Sequence, residues 1–309
     1  MKIAILGAGA MGSIFGAMLA EGGNQVTLID VWREAVNAIN ANGLQVDDKD
    51  GKTRTIKLRA VTSPAEAGAQ DLVVVFVKAF HTEDAVRSAT PLLGASTNIL
   101  SLQNGWGNAP KIAAIVGSDK VLMGVTYHSA TVLGPGHVQH AGWGKTIIGE
   151  LEASAGARLE RVAQAFRAGG MEVETTPHIR KEIWSKLALN VCTLPTAALL
   201  RFYAGELVQH DGTLRMMENL LREVVEVANA QEIPLDYNER WSAITGLLER
   251  AKGARGSMVQ DVENRRRTEI DVINGAVVNA GERLGIPTPY NNTMVWMVKA
   301  LEETFSNPQ

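Results

Sequence analysis

Three glycines near the N-terminus are the first residues whose spacing suggests chemistry, in the pattern Gly7-x-Gly9-x-x-Gly12. They stand between an apolar run, residues 2–6, that predicts a buried β-strand, and residues 13–21, which predict a helix. In this setting the first glycine permits a tight turn, the second lets backbone N–H groups approach a pyrophosphate, and the third lets helix and strand pack closely. We therefore predict a dinucleotide-binding loop. Its expected cofactor contacts are Gly7, Gly9, Ala10, Met11 and Gly12.

A carboxylate ends the second predicted strand. Asp30 follows the apolar run 25–29, about twenty residues after the glycine loop, where an acidic side chain accepts hydrogen bonds from a ribose 2′-OH. The same carboxylate repels the additional 2′-phosphate of NADP, which usually needs an Arg nearby. We therefore expect NAD(H) to be favoured over NADP(H), with Arg33 as the residue that would support the alternative.

Two further polar residues follow predicted strands of the same half. Lys78 comes directly after the Val-rich run 71–77, and Asn104 follows the run 98–102. Both are therefore expected at the carboxyl edge of a parallel sheet, where open sheets bind ligands. Each also has an ordinary structural interpretation, since a Lys often ends a solvated strand and Asn-Gly is a common turn dipeptide.

The C-terminal half offers four more candidates. Lys186 and Asn190 are four residues apart in a predicted helix and so share one face. Ser257 and Glu269 stand near predicted helix ends. From spacing alone, a Lys that borders an apolar stripe usually extends to water, and the other residues are equally explained as caps and surface charges. His137 and His140 lack a third ligand at metal spacing, so no metal site is predicted.

The elements that position these residues predict two domains. Up to about residue 173, strand and helix patterns alternate, and after Pro177 almost every segment has helical spacing. We predict a Rossmann-type doubly wound α/β sheet over 1–177, followed by an all-helical domain over 178–309. The helices expected in the second domain lie near 179–200, 212–230, 238–260, 268–284 and 290–304.

Composition narrows the classes of function. The chain has 309 residues and a formal net charge of −3, so no strongly basic face is implied and nucleic acid is not an expected partner. Its single cysteine, Cys192, excludes an internal disulfide and suits a reducing compartment. No apolar run approaches the roughly 18 residues of a membrane span, and the chain opens directly into a strand. We expect a cytoplasmic protein with no membrane contact.

Taken in order, the motifs resemble those of the ketopantoate reductase (2-dehydropantoate 2-reductase) family over essentially the whole chain. The segments that carry the resemblance are GAGAMG at 7–12, VKA at 77–79, QNG at 103–105, WSKLALN at 184–190, SMVQD at 257–261 and RTEIDVING at 267–275. The resemblance implies reduction of a 2-oxo acid to a 2-hydroxy acid with a nicotinamide cofactor. It also implies a helical C-terminal domain like that of 6-phosphogluconate dehydrogenases.

The resemblance also implies roles for the candidate residues. Lys186 matches the general acid, and Glu269 matches the carboxylate that binds the substrate hydroxyl. A positioned ammonium suits this chemistry because hydride delivery to a ketone creates an alkoxide that must be neutralised as it forms. The remaining matches are Lys78 and Asn104 at the nicotinamide end, and Asn104, Asn190 and Ser257 as substrate contacts.

Four positions depart from the family pattern. Val31 stands where NADP-using members carry an Arg, and His81 replaces a Gln that helps to hold the 2′-phosphate. Leu194 and Ala204 replace two asparagines of the pantoate site. Ketopantoate is the family default. The alternatives are an NAD-dependent 2-hydroxyacid dehydrogenase with a more apolar substrate, and a non-catalytic dinucleotide-binding redox sensor. A homodimer is compatible with each of these interpretations.

Overall fold

The structure is a computed structural model that describes residues 1–152 and 156–305. The chain divides into two compact units. The first comprises Met1–Gln103 and Asn108–Ile179, and the second comprises Asn104–Gly107 and Arg180–Gln309. In sequence terms the tetrapeptide Asn104–Gly107 lies inside the first predicted domain, but its contacts assign it to the helical unit.

Twelve strands lie in the first unit, all within the described residues. In chain order they are β1 (Lys2–Leu6), β2 (Gln25–Ile29), β3 (Leu44–Asp48), β4 (Thr53–Ile56), β5 (Arg59–Val61), β6 (Gln70–Val75), β7 (Leu93–Ser101), β8 (Val121–Thr126), β9 (Ser129–Gly134), β10 (His137–Gly142), β11 (Thr146–Glu150) and β12 (Val173–Thr175). Eight of them form one sheet in the order β12-β11-β8-β7-β6-β1-β2-β5. From β5 to β8 every neighbouring pair is parallel, which is the doubly wound arrangement predicted from the apolar runs.

The helices of the first unit cover this sheet. They are α1 (Ala10–Glu21), α2 (Arg33–Asn42), α3 (Thr82–Ser88), α4 (Asn108–Val116) and α5 (Ala157–Ala168). The core consists of strand residues such as Ile3, Ile5 and Leu28, packed with Phe15 of α1 and Phe166 of α5, all almost completely buried. Because its central strands are buried on both faces, the sheet needs the near-continuous runs of Val, Ile and Leu found in the sequence.

A second, four-stranded sheet in this unit has the order β4-β3-β10-β9. The sequence pattern did not separate these strands from those of the main sheet. β10 pairs in parallel with β3, far away in the chain, and antiparallel with β9. Non-local pairing of this kind leaves no local sequence pattern, so only the folded chain reveals it.

Six helices form the second unit within the described residues. They are α6 (Ile179–Leu200), α7 (Asp211–Asn229), α8 (Tyr237–Arg250), α9 (Ser257–Glu263), α10 (Asn274–Leu284) and α11 (Pro289–Glu303). The predicted helix at 238–260 is wrong as one element, because it is interrupted at 251–256, which contains Gly253 and Gly256. The predicted helix at 268–284 starts later, and its first residues form a short 3₁₀ turn, Ile270–Val272.

Helix α6 is the one helix of the described chain that is long and apolar enough, by length and composition, to cross a membrane. Its uninterrupted apolar stretches are short, so the sequence did not mark it as a span. In the structure, 72% of its most apolar window is buried inside the protein. That degree of burial is typical of a core helix.

A buried carboxylate joins the helices of the second unit. Glu223 of α7 accepts hydrogen bonds from the backbone N–H groups of Tyr290 and Asn291, both at 2.9 Å, and so caps the first turn of α11. The Asn291 side chain also donates to Glu223 and accepts from Asn274 at 3.1 Å. Asn274 donates in turn to the backbone carbonyl of Val191 in α6. Four helices are thus held by one polar network.

Two buried histidines lie side by side in the first unit. His128 Nδ1 and His140 Nε2 are 2.9 Å apart, and Trp143 packs against both rings. Burial, followed by the charge of His140, lowers the pKa of His128 from 6.5 to about 4. Burial also lowers the pKa of His140, although Asp48 opposes this shift. The pair is therefore neutral in the folded protein at neutral pH.

This pair predicts a loss of stability in acid. Between pH 6.5 and about 4 the unfolded chain binds a proton on His128 that the folded chain does not. Neutral His128 therefore makes its full contribution to the free energy of unfolding above pH 6.5, and this contribution is lost as pH falls towards 4. We expect denaturant unfolding of the intact protein to show this loss, up to about 3 kcal/mol. The free energy of unfolding of the H128Q variant should fall less over the same pH range.

The matched control is H178Q, because His178 is exposed and its loss should leave the pH dependence as in the wild type. Parallel pH profiles for H128Q and the wild type would contradict the prediction.

Candidate active site

The glycine loop and Asp30 are in direct contact within the first unit. Ala8 donates its backbone N–H to Asp30 Oδ2 at 2.7 Å, and Trp32 donates to Oδ1 at 2.9 Å. The carboxylate is thus fixed against the loop by two charge-assisted hydrogen bonds, and each of its oxygens retains further acceptor capacity. Asp30 therefore orders the loop, and its remaining acceptor capacity fits the predicted contact with a ribose hydroxyl.

The glycines of the loop have different environments. A Cβ atom on Gly12 would lie 1.9 Å from the carbonyl oxygen of Gly7, so only glycine allows this close approach. A Cβ atom on Gly9 would meet no protein atom within 4 Å. Backbone N–H groups at the start of α1 therefore remain accessible next to open space, which fits a bound pyrophosphate.

Gln103 ties together the carboxyl ends of β6 and β7. Its side-chain amide donates to the carbonyl of Val77 and to the hydroxyl of Thr82, both at 2.8 Å. The Val77 carbonyl directly precedes Lys78, which is half-buried and leads into a 3₁₀ turn, Ala79–His81. Gln103 thus fixes the backbone that carries Lys78. Its position beside Asn104 was part of the sequence motif, but this role depends on strand adjacency and was not predicted.

Lys186 and Asn104 are in direct contact in the helical unit. Lys186 Nζ of α6 donates a hydrogen bond to Asn104 Oδ1 at 2.9 Å, across 82 residues of sequence. Burial lowers the pKa of Lys186 from 10.5 to about 8, and the negative charge of Glu269 opposes part of this shift. The side chain is thus cationic at neutral pH but gives up its proton far more readily than an exposed lysine.

Asn104 is held by the residues that follow it. Gly105 has a φ of +83°, and a Cβ atom there would lie 2.2 Å from the carbonyl oxygen of Val272. Trp106 donates its backbone N–H to that same carbonyl at 2.9 Å, and its ring packs against Trp184, two residues before Lys186. The Asn-Gly dipeptide lies in a bend, and this bend places the Asn104 side chain against Lys186.

The other candidates lie in the same unit. Glu269 is largely buried and directly precedes the Ile270–Val272 turn that anchors Gly105. Asn190 is buried one helical turn after Lys186, and Ser257 is the exposed first residue of α9. The structure brings Lys186, Asn104 and Glu269 together, and Val272 and Trp106 are positioning residues that sequence reasoning missed.

Leu194, one helical turn after Asn190, contacts the residue that precedes Ser257. A Cβ atom on Gly256 would lie 2.9 Å from Leu194 Cδ2, so the Leu194 side chain packs directly on the residue before Ser257. Ala204 donates its backbone N–H to the carbonyl of Ala254 at 2.9 Å. The two positions that replace asparagines of the family's pantoate site therefore both contact the segment 251–256.

Comparison with known proteins identifies the family. Residues 3–153 match the family "Ketopantoate reductase PanE/ApbA", and residues 178–302 match its C-terminal domain. The chain is 35% identical over 304 residues to a 2-dehydropantoate 2-reductase from Halobacterium salinarum, covering 97% of this chain and 98% of the relative.

Two solved structures are also similar. A D-mandelate dehydrogenase in complex with NADH and anilino(oxo)acetate is 32% identical with a TM-score of 0.94, covering 99% of this chain and 100% of the other. A PanE/ApbA family ketopantoate reductase from Ralstonia eutropha JMP134 is 33% identical with a TM-score of 0.92, at the same coverage.

Fold, site and relatives define a pyridine-nucleotide-dependent oxidoreductase that acts on a CH–OH group. The chain belongs to the ketopantoate reductase family. It accordingly reduces a 2-oxo acid to the 2-hydroxy acid, the reaction that the resemblance predicted.

The geometry of Lys186 generates a prediction about catalysis. We expect K186A to lower kcat by about a hundredfold or more, because the developing alkoxide loses its proton donor. Binding of NADH should be almost unchanged, since the glycine loop and Asp30 belong to the other unit. Steady-state kinetics and a fluorescence titration with NADH measure the two quantities.

The control for this experiment is K181A, which removes an exposed lysine from the same helix and should behave as the wild type. In addition, the wild-type rate of reduction should fall as pH rises above about 8, where Lys186 loses its proton. Wild-type kcat in K186A would mean that this ammonium takes no part in the reaction.

Proposed function

We propose that this protein is an NADH-dependent 2-oxo acid reductase in which Lys186 is the general acid and Glu269 binds the substrate hydroxyl. The observation that carries the proposal is the contact of Lys186 Nζ with Asn104 Oδ1, in the electrostatic field of Glu269. This arrangement combines a half-buried ammonium with a neutral hydrogen-bond acceptor that orients it. A redox sensor without turnover would not need it.

The proposed mechanism assigns a step to each residue. The glycine loop and Asp30 would hold a nicotinamide cofactor, which when bound would supply a hydride to the substrate carbonyl carbon. Lys186 stabilises the negative charge that develops on the carbonyl oxygen and donates its proton from Nζ to that oxygen. Asn104 accepts a hydrogen bond from the same nitrogen and so limits its orientation. Asn190 and Ser257 offer an amide and a hydroxyl to the substrate carboxylate.

The proposed preference for NADH depends on the carboxylate of Asp30. Both carboxylate oxygens are fixed by backbone N–H groups, so the side chain cannot easily turn away from a 2′-phosphate. Val31, which follows it, is 88% exposed and carries no charge where NADP-using members have an Arg. A relative of nearly identical fold was solved with NADH, which supports the same choice.

We predict that kcat/KM is at least about tenfold higher with NADH than with NADPH, because like charges in a partly desolvated site cost several kcal/mol. The D30N variant keeps one carbonyl acceptor for the loop but removes the charge. D30N should therefore lower the ratio of kcat/KM with NADH to kcat/KM with NADPH. Initial rates with each cofactor at saturating 2-oxo acid test this.

The matched control is E34Q, which removes an exposed carboxylate from the first turn of α2 and should leave the ratio unchanged. A clear wild-type preference for NADPH would refute the proposal and would point to Arg33 or His81 as the phosphate ligand.

A second observation bears on the substrate. Leu194 lies against Gly256, directly before Ser257, and offers only apolar surface where the pantoate site has an amide. Ala204 removes another amide beside the same segment. A substrate hydroxyl buried without a partner costs about 1–3 kcal/mol. We therefore propose that the enzyme prefers a 2-oxo acid with a branched or aromatic side chain to ketopantoate, in line with the D-mandelate dehydrogenase relative.

This preference predicts that kcat/KM for ketopantoate is about tenfold to a hundredfold below that for the best branched or aromatic 2-oxo acid. L194N should shift the ratio towards ketopantoate because it restores an amide. The control L200N places the same amide on an exposed leucine at the end of α6 and should not shift the ratio. If ketopantoate is the best substrate by a wide margin, other residues replace the lost amides and the family default holds.

A further inference from the structure

The segment 267–272 carries Glu269 and is attached to the rest of the unit at both of its ends. Its later end, Val272, provides the carbonyl that binds Trp106 and approaches Gly105. A displacement of this segment would therefore move Glu269 and, through Gly105, also Asn104. Both residues act on Lys186, by charge and by hydrogen bond respectively.

The residue before Glu269 is fixed by a carboxylate near the end of α11. Thr268 is completely buried, and it donates both its backbone N–H, at 2.7 Å, and its hydroxyl, at 2.6 Å, to Glu302 Oε1. The Thr268 hydroxyl also accepts a hydrogen bond from the backbone N–H of Ile270 at 3.3 Å. The backbone on both sides of Glu269 is thus oriented by a single carboxylate whose side chain is only 12% exposed.

A second contact joins the same two elements. Lys299 Nζ of α11 donates to Asp271 Oδ2 at 2.7 Å and lies 3.8 Å from Glu302 Oε2. Arg267 also reaches Asp271 Oδ2 at 3.1 Å. Lys299 therefore compensates the negative charge of Glu302, which stands near the carboxyl end of α11, where the helix dipole disfavours an anion.

We infer that Glu302 is a positioning residue for the reaction, and that it acts by holding Thr268 so that Glu269 faces Lys186 and the substrate. The inference rests on the proposed role of Glu269. A carboxylate suits this task because one of its oxygens accepts two hydrogen bonds at once, whereas a water molecule in its place would leave Thr268 free to rotate.

The test is a double-mutant cycle between Glu302 and Glu269. We expect E302A to raise KM for the 2-oxo acid by about tenfold, with a smaller fall in kcat and an unchanged Kd for NADH. E302Q should recover most of the loss, because its amide oxygen can still accept from Thr268. In the background of E269A, which itself mainly weakens substrate binding, E302A should add less than about threefold.

The control is E303Q, which removes the neighbouring exposed carboxylate and should leave KM and kcat as in the wild type. If E302A does not fold, the same cycle is measured with T268V, which removes the hydroxyl that donates to Glu302 and accepts from Ile270, and with T268S, which restores that hydroxyl. Two results would overturn the inference. One is that the losses caused by E302A (or T268V) and by E269A multiply in the double variant. The other is that the conservative variant of the pair measured, E302Q or T268S, fails to recover the loss.

The two proposals can fail separately. If the wild-type enzyme does not oxidise NADH in the presence of any of the 2-oxo acids tested, the proposed function fails, and this inference fails with it. An active wild type whose E302A and E269A losses multiply fails the positioning role alone.

Discussion

The constraint on which the helical unit depends is the burial of one ammonium group beside a neutral hydrogen-bond acceptor and within the field of a carboxylate. A lysine in water holds its proton too tightly to be an efficient acid at neutral pH, and a lysine in a tight salt bridge holds it more tightly still. Lys186 donates a hydrogen bond to the neutral amide oxygen of Asn104. Burial lowers its pKa to about 8, and the negative charge of Glu269 opposes only part of this shift.

Holding that geometry requires rigid support from several helices, because the three groups come from separate parts of the chain. The buried Glu223–Asn291–Asn274 network fixes α7, α11 and α10 to the α6 backbone at Val191, next to Asn190. Contacts at the other end of α11 fix the segment that carries Glu269. Buried polar groups are costly unless they are satisfied, so such networks favour a single arrangement of the helices around them.

The nucleotide unit uses its charges in a comparable way. Asp30 is structural, since the backbone N–H groups that fix it also fix the glycine loop, and in the proposed function it also selects the cofactor. Replacing it therefore changes both loop order and charge, which is why a variant that keeps one acceptor is more informative than truncation. In the same unit, the neutral His128–His140 pair is buried and packs against Trp143.

The sequence alone determined what depends on local patterns. Continuous apolar runs predicted the parallel strands, the glycine spacing and Asp30 predicted the nucleotide loop, and the change to helical spacing after Pro177 predicted a second, helical part. From spacing, however, Lys186 could equally be a solvated surface lysine, and only the resemblance singled it out. Its partner is 82 residues away, and no local pattern encodes a contact over that distance.

Tertiary structure alone decided the remaining features. Non-local strand pairing built the four-stranded sheet, and the close approach of Leu194 to Gly256 accompanies the interruption of a predicted helix at 251–256. The roles of Gln103, Trp106, Val272 and Glu302 arise from hydrogen bonds between distant segments. Local sequence specifies which backbone conformation each segment prefers, but the environment that shifts a pKa or orients a carboxylate exists only when distant segments pack together.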